Sequence, residues 1–365
     1  MPCSQVLAFP LITLCLSYQC KPPLLAMNVE EFILDTPVLE GQLAGMKMSS
    51  KRYTYTGNHA QEGLTILACH GLGQHKEQWE PFLEDLFALQ AQQPSRLRIR
   101  EVWAFDWQNH GESYVLNKDL IKDDVNAAPL VLWGAALAAF IRSGRVGNHG
   151  IVALGYSAGC VGLLLASKYL APAQPFQGMI LIDPAMMDAD TWHTNRQKLQ
   201  ATFDFAKRGA ISRRDSWLTR AEAAKYLKDK FPYNMWNERV LQRYVEHALY
   251  ETTNSSGKLH VQRKCPGIQE ASFRANLTHT WAAMEQADVL QHVLPIHLVL
   301  GTGDGVMPEV IRECVADQAK GRRYTSVSYV HDVGHMIIQS DPKALAVMLF
   351  SLLERISLTA GTARL

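Results

Sequence analysis

Gly155-Tyr156-Ser157-Ala158-Gly159 is the most informative stretch of this sequence, because it matches the pattern G-x-S-x-G. An apolar run precedes it and a helical pattern follows it. In a strand–turn–helix of this kind, the turn lifts the serine hydroxyl clear of the sheet, and only small residues fit two positions to either side. The stretch therefore predicts a nucleophilic Ser157 in a turn formed by Gly155, Tyr156 and Gly159. The alternative is an ordinary serine in a glycine-rich turn.

Short apolar runs on both sides of this stretch alternate with helical patterns. Runs that are apolar almost throughout are typical of strands buried on both faces of a parallel sheet. The predicted strands are 64–69, 100–105, 150–155, 179–182, 296–300 and 325–330. The predicted helices are 79–90, 131–142, 158–169 and 342–355. We therefore expect an α/β fold with a mostly parallel central sheet and helices on both faces.

The segment 185–294 interrupts this alternation with a helical and charged pattern. Thr219-Arg220-Ala221-Glu222 is a capping box that opens one helix, and Asn237 is a candidate cap of a second helix that runs through 249. We expect this segment to form a helical cap over the sheet. The predicted organisation is an N-terminal extension at 1–26, core at 27–184, the cap at 185–294, core again at 295–358, and a tail at 359–365.

A serine nucleophile needs a base, and the base needs an acid to hold it. His335 is the candidate base, because it follows the last predicted strand and precedes the last long helix. His331 lies too close to the end of the strand. His70 and His110 occur earlier than the serine, and we expect both to shape loops.

Two aspartates are candidates for the acid. Asp304 follows the penultimate predicted strand, which is the usual position, whereas Asp183 follows the strand before it. Both strands end at the edge of the sheet where ligand sites form. The sequence pattern alone favours Asp304 without excluding Asp183.

The oxyanion of an acyl-transfer reaction needs two backbone N–H donors. Ala158, the residue after the nucleophile, is expected to supply one. The loop His70-Gly71-Leu72-Gly73 follows a predicted strand and nominates Leu72 for the other.

Together these residues resemble the α/β-hydrolase superfamily over about 60–185 and 290–355. Within that range, His70–Phe82 and the Val115-Leu116-Asn117 that follows Gly111-Glu112-Ser113 are similar to fungal peroxisomal hydrolases. These relatives are the acyl-CoA hydrolase of mycophenolic acid biosynthesis, the hydrolases of host-selective toxin clusters and yeast peroxisomal lipase. In the mycophenolic type the acid belongs to an Asp-Pro pair that maps onto Asp183-Pro184. That relative has no aspartate at the position of Asp304, so the resemblance favours Asp183 and leaves Asp304 as the alternative.

The two ends of the chain carry different signals. Ala363-Arg364-Leu365 is a small-basic-leucine variant of the peroxisomal tripeptide, and the resembling hydrolases end similarly, so we expect a peroxisomal import receptor as a partner. The apolar run 6–16 is shorter than the roughly 20 residues of a membrane span, and no basic residue precedes it. We expect a dispensable extension with Met27 as an alternative start, or else a signal peptide.

Composition excludes several classes of protein. The chain has 365 residues, of which 47% are hydrophobic and 19% charged, so it can bury a large core. Its 36 basic and 35 acidic residues give a net charge of +1, so the chain has no net positive charge large enough to attract nucleic acid. The 7 cysteines are scattered without a C-x-x-C pair, which argues against a disulfide framework or a zinc site and favours a reducing compartment. The sequons at Asn254 and Asn276 then carry no meaning.

The expected function is hydrolysis of an ester or thioester, with an acyl-CoA of a specialised metabolite as the leading substrate. Neither a metal nor an organic cofactor is required, and we expect no nucleic-acid partner and no stable membrane span. A peroxisomal lipase or carboxylesterase is the second hypothesis, and a non-catalytic ligand-binding protein is the third. Aromatic residues of the cap either line an acyl pocket or pack the cap, namely Trp192, Trp217, Phe231, Tyr233 and Trp236.

Overall fold

The strands of the protein belong to a large central sheet and a small peripheral one. The computed structural model describes residues 27–55, 62–93, 97–122, 124, 126–147, 149–254, 256–274, 277–303 and 306–362. The expected extension at 1–26, Asp304 and the tripeptide Ala363-Arg364-Leu365 lie outside these residues. In chain order the strands are Met27–Asp35 (β1), Lys47–Tyr55 (β2), Leu64–Cys69 (β3), Ile99–Phe105 (β4), Ile151–Tyr156 (β5), Phe176–Ile182 (β6), Ser216–Trp217 (β7), Leu249–Thr253 (β8), Leu259–Arg263 (β9), Ile296–Gly301 (β10) and Ser326–Val330 (β11).

The central sheet positions the ends of its strands along a single edge. Within the described residues its order is β1-β2-β4-β3-β5-β6-β10-β11. The pairs β1–β2 and β2–β4 are antiparallel, and every pair from β4 to β11 is parallel. The carboxyl ends of β3, β5, β6, β10 and β11 therefore meet at one edge, where open α/β sheets bind ligands.

Helices cover both faces of this sheet. In chain order they are Glu80–Gln92 (α1), Gly111–Ile121 (α2), Leu130–Arg142 (α3), Ala158–Leu170 (α4), Ala189–Thr194 (α5), Arg196–Ser212 (α6), Arg220–Lys228 (α7), Glu238–His247 (α8), Gly267–Ala271 (α9), Thr278–Leu290 (α10), Glu309–Ala316 (α11), Ile337–Ser340 (α12) and Pro342–Thr362 (α13). Searched over the described residues, none of these helices is both long and apolar enough to cross a membrane.

Alternate residues of the buried strands contribute to two different core clusters. In β3, Leu67 packs with α3 and α4 on one face, whereas Ile66 packs with α1 and α13 on the other. All six residues of β3 are buried. Because successive side chains of a strand point to opposite faces, a strand covered on both faces must be apolar throughout. The six predicted strands and four predicted helices are confirmed, with ends that differ by a few residues.

Two boundaries differ from the expectation. The last helix continues to Thr362, so the expected tail at 359–365 is helical in its described backbone. The expected cap at 185–294 ends too late, because α10 belongs to the core. Its buried face, with Ala283, Met284 and Leu290, lies in the same cluster as α4.

The inserted segment contains helices, as expected, and also a small antiparallel sheet in the order β7-β9-β8. Both predicted helix caps are present. Thr219 accepts a hydrogen bond from the Glu222 N–H at 3.1 Å, and Asn237 accepts one from the Arg239 N–H at 3.0 Å. The sheet was missed because β8 and β9 are short and polar on one face, so their pattern is weak.

Ion pairs attach the insertion to the core. On α8, Arg239 pairs with Glu84 and Asp85 of α1 at 2.6 and 3.0 Å. Arg243, one turn later, pairs with Glu80 and with Glu84. The Asn237 N–H also donates to the Gln339 carbonyl at 2.7 Å, which ties the start of α8 to the segment after β11.

Candidate active site

Ser157 lies in the tight turn between β5 and α4. Its φ of +53° and ψ of −116° are unusual for a residue with a side chain. A Cβ at Gly159 would come within 2.2 Å of the Cys69 carbonyl oxygen, and one at Gly155 within 2.7 Å of the Cys160 Cα. Only glycine therefore fits at these two positions, as the sequence pattern predicts.

The turn places Ser157 beside His335. The His335 Nε2 lies 2.9 Å from the Ser157 Oγ, and its Nδ1 lies 2.6 Å from the Asp183 Oδ2. Because the carboxylate accepts the Nδ1–H, the Nε2 is left as an acceptor for the serine proton. All three residues are at least nine-tenths buried. The structure thus brings Ser157, His335 and Asp183 into one chain of hydrogen bonds.

Asp183 is the most deeply buried of the three hydrogen-bonded residues. It directly follows β6, with a φ of +40°, and its N–H donates to the Val299 carbonyl of β10 at 2.7 Å. Burial by itself would raise the pKa of Asp183. Hydrogen bonds and positive charge from His335 and Arg312 outweigh burial and hold that pKa below its ordinary value.

Arg312 is a contact of Asp183 that the sequence did not predict. Its Nε lies 3.0 Å from the Asp183 Oδ1, and its Nη2 lies 3.3 Å from the Oδ2. No sequence pattern marks this arginine, because its role depends on how α11 docks beside the ends of β6 and β10. The alternative acid, Asp304, lies outside the described residues, and His331 is exposed in a turn.

The two expected oxyanion donors belong to segments next to the serine. Ala158 is the first residue of α4, where N–H groups have no partner within the helix. Leu72 lies on the wall of the cavity that also contains Ser157 and His335. Gly71 is required beside it, because a Cβ there would come within 2.7 Å of the Tyr156 ring.

His70 and His110 shape this loop, as expected. The His110 Nε2 accepts the Gly73 N–H at 3.0 Å, and the His70 Nε2 accepts the Trp107 N–H at 3.2 Å. Burial lowers the pKa of His70 to about 4. Burial, together with the neighbouring His70 and Arg263, holds the pKa of His110 well below its ordinary value. Both rings are therefore neutral at pH 7 and serve as acceptors for backbone N–H groups.

A mostly apolar cavity of about 120 Å³ lies over Ser157. Its apolar wall comes from the insertion, from α11 with the loop before it, and from the segment after β11, and includes Phe203, Phe273, Leu277, Met307, Ile311 and Met336. Gln74 and Glu270 add polar groups. The Gln74 Oε1 is buried and has no hydrogen-bond partner among the described residues.

The five aromatic residues singled out in the cap do not belong to the described lining of this cavity. Trp217, Tyr233 and Trp236 pack in a hydrophobic cluster of the insertion itself. Trp192 packs in another cluster with Met187 and Met307, and Phe231 is exposed. Of the two expectations, packing therefore applies to four of them, and Phe203 and Phe273 supply the aromatic wall instead.

Comparison with known families gives one match that spans most of the chain. The model described as "Alpha/beta hydrolase family" matches residues 66–347. No curated protein sequence matches the chain significantly.

Several solved structures share the fold at low sequence identity. The peroxisomal alpha-beta-hydrolase Lpx1 of Saccharomyces cerevisiae is 16% identical, with a TM-score of 0.70, over 93% of this chain and 91% of that chain. A thioesterase domain from the curacin biosynthetic pathway is 17% identical, with a TM-score of 0.59, over 89% of this chain and 99% of that chain. The esterase Rv0045c of Mycobacterium tuberculosis is 18% identical, with a TM-score of 0.58, over 90% and 92%. At these identities the similarity is one of fold.

Proposed function

Because the chain belongs to the alpha/beta hydrolase family, we propose that it is a serine hydrolase that cleaves a carboxylic ester or thioester, with Ser157, His335 and Asp183 as its catalytic triad. One observation carries this proposal. The Oγ of Ser157, the ring of His335 and the carboxylate of Asp183 form a continuous chain of hydrogen bonds, and Ser157 and His335 line an apolar cavity.

In the first half of the reaction, the Ser157 Oγ attacks the acyl carbonyl carbon while the His335 Nε2 takes the hydroxyl proton. Asp183 holds the ring through Nδ1 and stabilises the imidazolium that forms. The N–H groups of Leu72 and Ala158 bind the oxyanion. The tetrahedral intermediate collapses, the imidazolium protonates the departing alcohol or thiol, and the acyl group remains on Ser157.

In the second half, His335 takes a proton from water, and the resulting hydroxide attacks the acyl carbon. The ester bond to Ser157 then breaks, and the imidazolium returns its proton to the serine Oγ. The products are a carboxylic acid and the alcohol or thiol released earlier. The cycle consumes one water molecule, and neither a metal nor an organic cofactor takes part in it.

The leading substrate is an acyl-CoA thioester of a specialised metabolite, in the manner of the fungal toxin and mycophenolic acid pathways. The apolar wall of the cavity suits an acyl chain. The buried Gln74 Oε1 favours acyl groups that carry a hydroxyl or another hydrogen-bond donor, since an acceptor left unpaired costs about 1–3 kcal/mol. A plain fatty acyl chain would leave it unpaired.

Peroxisomal location is part of this proposal. Ala363-Arg364-Leu365 would be read by the import receptor, and the similar fold of a peroxisomal hydrolase supports the same address. Removal of these three residues should move a fluorescent fusion from peroxisomes to the cytosol. A truncated fusion that stays in peroxisomes would contradict this part of the proposal.

A lipase or carboxylesterase without preference for CoA is the second candidate, favoured by the esterase among the similar folds. A matched panel separates the two. Butyryl-, hexanoyl- and 3-hydroxyhexanoyl-CoA are compared with the ethyl esters of the same acids, and Ser157→Ala is the control. We expect serine-dependent release of CoA to exceed release of ethanol, with the hydroxyacyl thioester preferred.

Preference for the oxygen esters would assign the protein to the esterases instead. Turnover that persists in Ser157→Ala would overturn the proposed mechanism.

A further inference from the structure

Arg312 contacts both carboxylate oxygens of Asp183. Its Nε lies 3.0 and 3.4 Å from the two carboxylate oxygens, and its Nη2 lies 3.3 Å from Oδ2. A third nitrogen, Nη1, donates to the Gly303 carbonyl at 3.4 Å. The Asp183 side chain is fully buried and that of Arg312 is 14% exposed. The two groups therefore form an ion pair shielded from solvent.

We propose that Arg312 is a positioning residue of the triad, which orients Asp183 and tunes its charge toward His335. This inference rests on the proposed hydrolase function. A guanidinium presents its donors in a rigid planar fork, so two-nitrogen contact fixes the plane of the carboxylate. With Oδ1 held by Arg312 and approached by the Gly301 N–H at 3.4 Å, Oδ2 is directed to the His335 Nδ1.

The backbone of Asp183 does not by itself orient the carboxylate. Its φ of +40° lies in the left-handed region that residues with side chains rarely adopt. The Asp183 N–H donates to the Val299 carbonyl of β10, but this backbone bond does not set the rotation of the carboxylate. Arg312 supplies that restraint.

The charges around Asp183 define what Arg312 adds. The titratable groups that the structure describes against it are His335, Tyr156 from β5, Cys160 from α4 and Arg312 from α11. Burial raises the pKa values of Tyr156 and Cys160, so both are neutral near pH 7. Of these four groups, only the guanidinium keeps a positive charge throughout the working pH range. It competes with the imidazolium for the negative charge of Asp183.

Arg312 therefore has two separable effects. The hydrogen bonds of Arg312 hold Asp183 in place, which should raise kcat. Arg312 does not belong to the described lining of the cavity, so KM should not depend on it. Its charge offsets part of the attraction between Asp183 and an imidazolium at His335. Loss of the charge should move the acid limb of the pH profile upward.

The test uses p-nitrophenyl butyrate and compares Arg312→Met and Arg312→Lys with the wild type. For the methionine variant we expect a loss of kcat on the order of 10- to 100-fold, smaller than the roughly 10⁴-fold loss on disabling a triad acid, with KM unchanged. The acid limb of kcat/KM should rise by on the order of one pH unit. Lysine retains the charge but loses the fork, so it should restore the pH profile and only part of kcat.

Arg322→Met is the matched control. Arg322 is buried more deeply than Arg312, with 2% of its side chain exposed, and pairs with Asp188 and Asp288 near the same helix, without a described contact to the triad. Its loss should lower the thermal unfolding temperature and leave the pH profile of activity unchanged. An Arg312→Met profile that coincides with the wild type, or a kcat loss no greater than that of the Arg322 control, would overturn the proposal.

An NMR titration of the His335 ring separates this proposal from the proposed function, because it needs no turnover. The midpoint of the His335 titration, assigned by its absence in His335→Gln, should be higher in Arg312→Met than in the wild type and unchanged in Arg312→Lys. If Arg312→Met does not fold, Arg312→Gln takes its place in this measurement. An unchanged midpoint would refute the role of Arg312 even if the enzyme is active, and a shifted midpoint would support that role even if no substrate is turned over.

Discussion

At the residue scale, two members of the site occupy conformations that residues with side chains rarely adopt. Ser157 and Asp183 both have positive φ, at +53° and +40°. Each costs about 1–3 kcal/mol and persists only where the surroundings enforce it. Hydrogen bonds from the Ser157 N–H to the Ile182 carbonyl and from the Asp183 N–H to the Val299 carbonyl do so here. In this backbone conformation both side chains extend from the edge of the sheet and contact His335.

The choice of acid leads to a direct prediction at this scale. Asp183→Asn should lower kcat by about 10³- to 10⁴-fold, because an amide cannot stabilise the imidazolium and favours the wrong ring tautomer. Asp304→Asn should keep near-normal turnover. Steady-state kinetics of the two variants on p-nitrophenyl butyrate gives the answer. Near-normal activity of Asp183→Asn together with loss in Asp304→Asn would assign the role to Asp304.

The sequence predicts some of these residues better than others. Ser157 and His335 follow from local pattern and chain order. Asp183 and Asp304 both follow strands that end at one edge, so the residues alone left the acid undecided. Arg312 leaves no mark in the sequence, because its contact depends on the docking of α11 against β6 and β10. Tertiary packing, and not local pattern, places it.

At the element scale, the position of the serine turn depends on how closely α3 and α4 approach. Gly134 of α3 allows this contact, since a Cβ there would lie 2.8 Å from the Leu165 Cβ and 3.1 Å from the Ala166 backbone nitrogen. Gly162 of α4 is equally restricted, since a Cβ there would lie 2.9 Å from the Trp133 ring. The two glycines therefore allow α4, which begins directly after Ser157, to pack closely against α3.

Gly134→Ala should therefore lower the free energy of unfolding by about 1–3 kcal/mol, because the added methyl forces the helices apart. Urea unfolding followed by circular dichroism measures this change. Gly209→Ala is the matched control, because Gly209 is an exposed residue of α6 and nothing lies within 4 Å of an added Cβ. It should raise the free energy by about 0.5–1 kcal/mol. Equal effects at the two positions would contradict the close contact.

Elements with a strong pattern were predicted and elements with a weak one were missed. The apolar runs of β3, β5 and β10 indicate strands that are covered on both faces. Strand β1 is mostly exposed, and β8 and β9 are half polar, so neither an apolar run nor a helical period marks them. The core position of α10 was also missed, since its sequence does not reveal which neighbour covers its apolar face.

At the scale of the whole molecule, buried histidines should make the protein sensitive to mild acid. The pKa of His70 falls from 6.5 to about 4 on burial, and that of His110 also falls. A histidine with a depressed folded pKa binds its proton more readily in the unfolded chain. Its contribution to stability is thus complete above pH 6.5 and is lost as the pH falls from 6.5 toward 4.

For His70 alone this amounts to about 2 kcal/mol between pH 7 and pH 5, at about 1.4 kcal/mol per pH unit below 6.5. Urea unfolding at the two pH values tests the expectation. The free energy of unfolding should be lower at pH 5, and the difference should shrink in His70→Gln. A free energy that is equal at pH 5 and pH 7 would show that these rings take up protons while the protein is folded.

The parallel sheet and the insertion over one sheet edge together account for a cavity that Ser157 and His335 line. We expect Ser157 to carry the acyl group during turnover. Rapid quenching with acid after mixing with hexanoyl-CoA, followed by peptide mass mapping, measures this directly. We expect one hexanoyl group per chain on the peptide that contains Ser157, and none in Ser157→Ala. An acyl group on a different residue, or CoA release in Ser157→Ala at the wild-type rate, would contradict it.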